Sequence, residues 1–360
     1  MFDAKMIPGY KKVHNKFKLN NIHYDYDSLQ EVAYSFVKEG CSHEKEFGMF
    51  LLDWLDSNTY VNVKTSGSTG SPKIIKLNKQ AMVRSAIETG DFFKLMPSDS
   101  SLLCLSSQYI AGKMMIVRAL ILGLQLDLIK PTSRPLDVLN KSYDFIPMVP
   151  IQLQNSLDQL HHVKKIIVGG AKVSFSLIQK LQSISPLIYE TYGMSETITH
   201  IAVKKLNHNK SSKQQFTFFT LPNVAISQDE RGCLVIDAPH LKVNSLVTND
   251  LVKIYSENSF ELLGRIDNVI NSGGIKIFPE QIEKQLSRHI YTDFFITSRK
   301  NQALGEEIIL LIEGDQRDLS KNLFENLKKF EIPKRVLFIH TFFRLSSGKI
   351  DRIRNRLTIL

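Results

Sequence analysis

Thr65-Ser66-Gly67-Ser68-Thr69-Gly70-Ser71-Pro72-Lys73 follows Tyr60-Val61-Asn62-Val63-Lys64, whose alternating apolar and polar residues read as a strand. The glycines let backbone N–H groups close in, the hydroxyls donate hydrogen bonds and the lysine offsets charge, so the stretch has the parts of a polyphosphate grip. It is not a Walker A loop, which needs four residues between its glycines and Ser or Thr straight after the lysine. An ordinary polar turn can share this composition, so the loop's weight comes from what surrounds it. After a second short strand, Asn78 offers a helix N-cap, and Met82, Ala86, Phe92 and Phe93 suit helical burial.

Upstream, helices are predicted at 27–39, closed by Gly40, and at 43–56, where Phe47, Phe50, Leu51, Trp54 and Leu55 share one face. Downstream, from 101 to 186, short apolar runs at 102–105, 125–129 and 165–168 alternate with helical stretches, which predicts a parallel α/β layer. Residues 223–263 change character: short alternating segments broken by turn signals such as 229–232 predict a small β-rich subdomain. After Gly264 come a helix opened by Pro279, with Ile282, Leu286 and Ile290 on one side, strands at 294–297 and 308–312, a helix at 320–330 and a strand at 335–340. The expected class is α/β. A large N-terminal domain, residues 1–266, would hold the parallel α/β layers and the β-rich subdomain, and a small mobile α+β domain would span 267–360.

The 360 residues are 43% apolar, enough for a large core, and no stretch approaches the roughly 20 apolar residues of a membrane span. The start, residues 1–18, is too polar for a secretory signal, so the expected location is cytoplasmic, without membrane insertion. Lys plus Arg number 46 against 36 Asp plus Glu, a basic balance that suits polyanionic ligands. No RNA-binding aromatic signature or zinc-finger spacing is present, and the polar run at 204–215 reads as a solvated loop, so no nucleic-acid partner is expected. Cys41, Cys104 and Cys233 lie far apart in no metal-binding or redox spacing.

Four further segments follow the loop in order: Tyr192-Gly193-Met194-Ser195-Glu196-Thr197; Thr248-Asn249-Asp250; Gly264-Arg265-Ile266-Asp267 with Ser272-Gly273-Gly274; and Ser346-Ser347-Gly348-Lys349-Ile350-Asp351-Arg352. This ordered set resembles the adenylate-forming superfamily of acyl-CoA ligases, peptide-synthetase adenylation domains and luciferases, from about Lys64 to Arg352. The resemblance implies a ligase that uses ATP and Mg²⁺ to activate a small-molecule carboxylic acid and passes the acyl group to CoA as co-substrate. A homo-oligomer is compatible with it.

Carried over residue by residue, the resemblance makes Thr65, Ser66, Gly67, Ser68, Thr69, Gly70 and Lys73 the grip on the β- and γ-phosphates. Gly169, Gly170 and Ala171 would face the adenine, with the base stacking on Tyr192 beside Gly193. Thr197 would bind the α-phosphate and Glu196 the Mg²⁺, a cation that favours oxygen ligands beside phosphates. Asp250, assisted by Arg265, would hold the ribose hydroxyls, and Lys349 would stabilise charge as the acid attacks phosphorus. Asp267 would be the hinge, and Ser272, Gly273 and Gly274 would line the CoA tunnel. Taken singly, each has an ordinary use: Glu196 and Asp250 as turn or capping carboxylates, Lys349 as a surface-turn lysine.

Three features depart from the family pattern, one being that the segment before Ser346 lacks the common proline. Less chain than usual precedes Thr65, which implies an abbreviated first subdomain, and Asn249 stands where a glycine is usual before the ribose-binding Asp; Asn tolerates a left-handed turn there. The stretch from Ser106 through Tyr109, Gly112 and Lys113 to Arg118, with Asn271-Ser272-Gly273-Gly274-Ile275-Lys276-Ile277, resembles the short bacterial o-succinylbenzoate–CoA ligases of menaquinone biosynthesis. That acid keeps a second, non-reacting carboxylate, which Lys113 or Arg118 would meet, with Tyr109 also on the acid side. A different aryl- or fatty-acid ligase or a carrier-loading adenylation enzyme is the alternative, and a non-catalytic nucleotide-binding protein the less favoured one.

Overall fold

Five strands of the computed structural model lie side by side and parallel: Gln125–Leu128, Ser100–Leu103, Tyr143–Met148, Val163–Val168 and Leu187–Gly193. Their apolar runs suit a sheet covered on both faces, and Leu102, Phe145, Ile146, Ile166, Val168 and Ile188 are buried within it. This is the parallel layer expected for 101–186. Antiparallel strands His200–Lys205 and Phe218–Thr220 extend it beyond Leu187–Gly193, and Lys18–Leu19 adds beside Gln125–Leu128, so the large sheet is mixed.

Residues 7–64, 73–137, 141–208, 216–320, 322–345 and 350–359 are described. They fall into two compact units, one within Met1–Lys172, Leu181–Ala225 and Asp237–Ser245, the other within Val173–Lys180, Ile226–Ile236 and Leu246–Leu360. Among the described residues no helix is long and apolar enough to cross a membrane.

In the first unit, Asp25 and Ser28 form a reciprocal capping box that starts helix Tyr26–Glu39, and Gly40 closes it. Helix Ser42–Leu55 buries Phe47, Phe50, Leu51, Trp54 and Leu55, the face its sequence spacing predicts. Strands Tyr60–Lys64 and Ile74–Asn78 form a separate antiparallel ladder, and the Asn78 side chain accepts the Ala81 N–H at 3.0 Å to cap helix Lys79–Phe93. Helix Ile110–Leu122 is buried nearly all round, including Lys113 and Arg118, and packs on Lys79–Phe93.

Strands Ala225–Gln228, Cys233–Ala238, Val243–Ser256 and Ser259–Arg265, most of whose residues belong to the second unit, pair in succession, the β-rich segment the turn signals predict. A smaller, largely antiparallel sheet of Ile275–Ile277, Ile270–Ser272, Gly305–Glu313 and Phe294–Asn301 follows, with Arg335–Ile339 parallel to Gly305–Glu313. Helix Pro279–Leu286 buries Ile282 and Leu286 with Ile290 against Ile296, Ile308 and Leu310. The helix expected at 320–330 is absent among the described residues there. Successive i→i+3 turns, such as Leu323 N–H to Ser320 and Leu327 N–H to Phe324, bury Leu323 and Leu327 at the same i, i+4 spacing without propagating a helix.

The start of helix Ile110–Leu122 depends on a close approach. A Cβ at Gly112 would lie 2.3 Å from the Ser106 carbonyl oxygen, while Glu46 holds the same loop through Ser106 Oγ at 2.6 Å and Gln108 Nε2 at 2.7 Å. Gly112→Ala gains about 1 kcal/mol of helix propensity. The overpacking against backbone costs about 1–3 kcal/mol or more and exceeds that gain. The variant is therefore expected to unfold at lower urea concentration than the wild type. An unchanged or raised midpoint would show that the loop yields freely.

Candidate active site

The first unit gathers its candidate residues at the carboxyl ends of parallel strands, where loops leave the sheet. Gly169-Gly170-Ala171 leaves Val163–Val168, and Tyr192-Gly193 ends its neighbour, with Val168 opposite Glu190. The two strand ends are tied by Thr191, whose hydroxyl donates to the Val168 carbonyl at 3.1 Å; a Cβ at Gly169 would meet that hydroxyl at 2.7 Å. Gly170 has φ +86°, open to glycine without strain. Tyr192 is buried, its ring centroid 5.9 Å from that of Phe218.

Beyond Gly193 the chain makes the 3-10 turn Ser195–Thr197. Ile198 then has φ +67° and ψ −56°, and Thr199 N–H reaches the Thr197 carbonyl at 2.7 Å. This is a γ-turn of the strained hand, held by a β-branched residue. Thr197 is fully buried. Its hydroxyl accepts the Met194 N–H at 3.0 Å and faces the carbonyls of Met194 at 3.0 Å and Thr199 at 2.8 Å. A hydroxyl has one proton, so the Thr197 donor is committed to the turn. Ser195 is half-buried with no hydrogen bond from its hydroxyl among the described residues, and Glu196 is exposed and forms no ion pair there. Ser195 is the hydroxyl the sequence reading passed over; its place directly before Glu196 was the available signal.

Lys113 and Arg118 share a helix and diverge. Lys113 Nζ sits 4.6 Å from the centroid of the Phe50 ring; burial lowers its pKa, and Asp53 and Glu46 oppose that. Arg118 is 2% exposed and its Nη2 donates to Thr199 Oγ1 at 2.8 Å. Its Nε is buried without a hydrogen-bond partner, and no carboxylate among the described residues pairs with it. Burial brings its pKa down to about 9, so it stays a cation at neutral pH. Thr199 Oγ1 also lies 3.2 Å from His200 Nδ1, and His200 Nε2 is a second buried nitrogen without a partner. Burial, then the Arg118 charge, holds His200 well below the usual histidine range, so it is neutral. Tyr109 is the N-cap residue of the same helix, half-buried.

The second unit brings together Asn249, Asp250, Arg265 and Asp267. Asp250 and Arg265 face each other across antiparallel strands, with Nη1 3.2 Å from Asp250 Oδ1, and Arg265 Nη2 reaches Asp267 Oδ2 at 2.8 Å. Asn249 has no left-handed backbone. It lies within strand Val243–Ser256, where its amide donates to the Asp267 carboxylate at 3.1 and 3.2 Å, so the glycine-like turn is not needed. Gly273 and Gly274, at φ +59° and +79°, form the two-residue turn between Ile270–Ser272 and Ile275–Ile277, a geometry that demands positive φ at both positions. Thr65, Ser66, Gly67, Ser68, Thr69, Gly70 and Lys349 lie outside the described residues; Lys73 directly precedes strand Ile74–Asn78, whose Ile74 pairs with Lys64.

Residues 32–237 match the AMP-binding enzyme family. The chain belongs to it, and so to the adenylate-forming superfamily. Among its relatives is the 2-succinylbenzoate–CoA ligase of Haemophilus influenzae, 28% identical over 301 residues that cover 76% of this chain; the chain spans 63% of that relative's length. An acyl-CoA synthetase (AMP-forming)/AMP-acid ligase II-like protein from Dyadobacter fermentans is 32% identical in its solved structure, with TM-score 0.61 over 92% of this chain and 98% of that one. The o-succinylbenzoate coenzyme A synthetase of Bacillus subtilis, solved in complex with ATP and magnesium ion, shares the fold at TM-score 0.71 and 20% identity, over 82% of this chain and 69% of that one.

The two hydroxyls of the turn are expected to separate on substitution. Thr197→Val should lower stability by about 1–3 kcal/mol, since buried N–H and C=O groups lose their partner. Ser195→Ala should leave stability within about 0.5 kcal/mol. It should also slow ATP–pyrophosphate exchange by ~10²-fold if its hydroxyl meets phosphate. Denaturation midpoints with exchange rates check this, and a stable, exchange-deficient Thr197→Val with a normal Ser195→Ala would reverse the assignment.

Proposed function

We propose that this chain is an AMP-forming ligase that activates o-succinylbenzoate and transfers the acyl group to coenzyme A. The observation that carries the choice of acid is Arg118, a buried cation whose Nε has no partner and which no described carboxylate neutralises. Such a group is costly unless an anion meets it. With Thr199 accepting from Arg118 and donating to His200 Nδ1, His200 Nε2–H becomes a second buried donor, and the pair suits a carboxylate that does not react. Lys113, turned toward Phe50, suits that role less. The names of the Haemophilus and Bacillus relatives favour the same acid.

In this reading a carboxylate oxygen attacks the α-phosphorus of ATP, forming acyl-AMP and expelling pyrophosphate. The CoA sulfur then attacks the acyl carbon, forming the C–S bond as AMP leaves. Residues 65–73 would hold the β- and γ-phosphates, Ser195 or Thr197 the α-phosphate, Gly169, Gly170, Ala171 and Tyr192 the base, and Asp250 with Arg265 the ribose. Glu196, exposed and without an ion pair, suits Mg²⁺, which takes one or two carboxylates alongside phosphate and water oxygens. When bound, Mg²⁺ would offset phosphate charge. Asp267 would be the joint between residues 1–266 and 267–360, and Ser272, Gly273 and Gly274 would guide the thiol arm.

Mixing the protein with ATP, Mg²⁺, CoA and o-succinylbenzoate should give o-succinylbenzoyl-CoA by mass spectrometry with AMP in equal amount; ADP in its place would overturn the reaction class. Arg118→Met should raise KM for the dicarboxylic acid by ~10–10²-fold, the loss of a charged buried hydrogen bond. Benzoate-like acids without the second carboxylate should change little, and equal losses for both would put the cation's role elsewhere. Lys349→Ala should slow acyl-AMP formation by ~10²–10³-fold while sparing thioester formation from supplied acyl-AMP. Stopped-flow measurement of each half-reaction reads the difference, and equal impairment of both halves would refute the role of Lys349.

A further inference from the structure

Helix Pro279–Leu286 packs on strand Ser259–Arg265, and two of its contacts there join chain before Asp267 to chain after it. Lys284 Nζ meets Glu261 Oε1 at 2.5 Å, a partly exposed ion pair of the kind that contributes little. The other contact is the Glu280 carboxyl, pressed on Gly264 so closely that a Cβ there would lie 2.5 Å from Glu280 Oε2. Oε1 accepts from Asn268 Nδ2 at 2.5 Å, but Oε2 is buried with no hydrogen-bond partner. A carboxylate held this way is half-satisfied, and an acid carrying its proton is not penalised in the same measure.

We propose that Glu280 is a proton-operated latch on the joint at Asp267, holding helix Pro279–Leu286 against Gly264 when protonated and loosening it when ionised. The inference rests on Asp267 being a hinge, and Glu280 acts as a positioning residue that never touches substrate. The charged and polar groups facing its carboxyl are Glu283 on its own helix, Arg352 from helix Arg352–Leu357 and Asn268 from the turn Ile266–Asn268. Glu283 is itself engaged, accepting from Arg352 Nη2 at 2.8 Å and from Ile296 N–H at 2.8 Å. Burial raises the Glu280 pKa and repulsion from Glu283 adds to it, against the opposing pull of Arg352 and Asn268. A carboxyl whose pKa is higher docked than undocked favours the docked pose below its ordinary value. That contribution is lost as pH rises through the raised value.

Spin labels at Val247→Cys and Tyr291→Cys, both exposed positions, in a background with the exposed Cys41 changed to Ser, report the distance across the joint. Double electron–electron resonance should show the docked distance losing population in the wild type as the pH rises above the ordinary glutamate range. Glu280→Gln, which keeps shape and cannot ionise, should hold the docked distance through the same rise in pH. Asn268→Ala, which removes a side-chain donor that favours the ionised form in place, should move the transition to higher pH. A wild-type distribution that ignores pH, or a Glu280→Gln response equal to the wild type, would overturn the latch. Because the readout needs no substrate, a working latch in a protein that makes no acyl-AMP would defeat the proposed reaction and leave the latch standing.

Discussion

The register of the parallel ladder between Val163–Val168 and Leu187–Gly193 is the constraint on which the first unit's site depends. Buried backbone N–H and C=O groups must be paired, and a strand covered on both faces has only its neighbours to pair with. Once Val168 stands opposite Glu190, Thr191, Tyr192 and Gly193 run on past the end of Val163–Val168, beside the loop that leaves it. The Thr191 hydroxyl bridging to Val168 leaves room for no side chain at Gly169. Gly193 is under the same pressure: a Cβ there would lie 2.3 Å from the Thr199 carbonyl oxygen, which keeps the chain turning back through Ser195–Thr197. The strained Ile198 is the consequence, and the buried Thr197 hydroxyl is what stabilises it.

Arg118 shows the opposite balance, a cost left standing. Helix Ile110–Leu122 carries it into the core, where Thr199, its one hydrogen-bond partner among the described residues and a neutral one, does not offset the loss of water. Lys113, five residues earlier, is buried too, but it lies over an aromatic ring with Asp53 and Glu46 nearby. Of the two cations, only Arg118 is left for an external anion to complete. Binding energy gained there would discriminate between acids that differ by one carboxylate.

In the second unit a run of carboxylates around Asp267 is shared among few cations. Arg265 divides itself between Asp250 and Asp267, and Asn249 adds a neutral donor to Asp267. Beyond the turn, Glu261, Glu280 and Glu283 meet Lys284, Asn268 and Arg352 in turn. Glu280 alone among these carboxylates keeps a buried oxygen without a partner. Its ionisation, more than the half-exposed Lys284 pair, therefore weighs on how firmly the helix sits.

Local spacing was enough for much of this. The apolar stripe of Phe47, Phe50, Leu51, Trp54 and Leu55, the Asn78 cap and Pro279 at a helix start each express a short-range rule, and each is found in the structure. The segment 320–330 was misread because i, i+4 apolar spacing serves a chain of turns as well as a helix. Asn249 was misread because its donor finds a carboxylate eighteen residues away, which no local backbone preference encodes. The sequence by itself determined the family, most of the strands and most helices, because periodicity and ordered motifs are local, and it nominated the candidate residues. Only the tertiary structure decided that Thr197 is spent on its own turn while Ser195 is available, that Lys113 and Arg118 face different neighbours, and that Glu280 is pressed on Gly264. Those depend on which groups meet across long stretches of chain and on how completely water is removed from them.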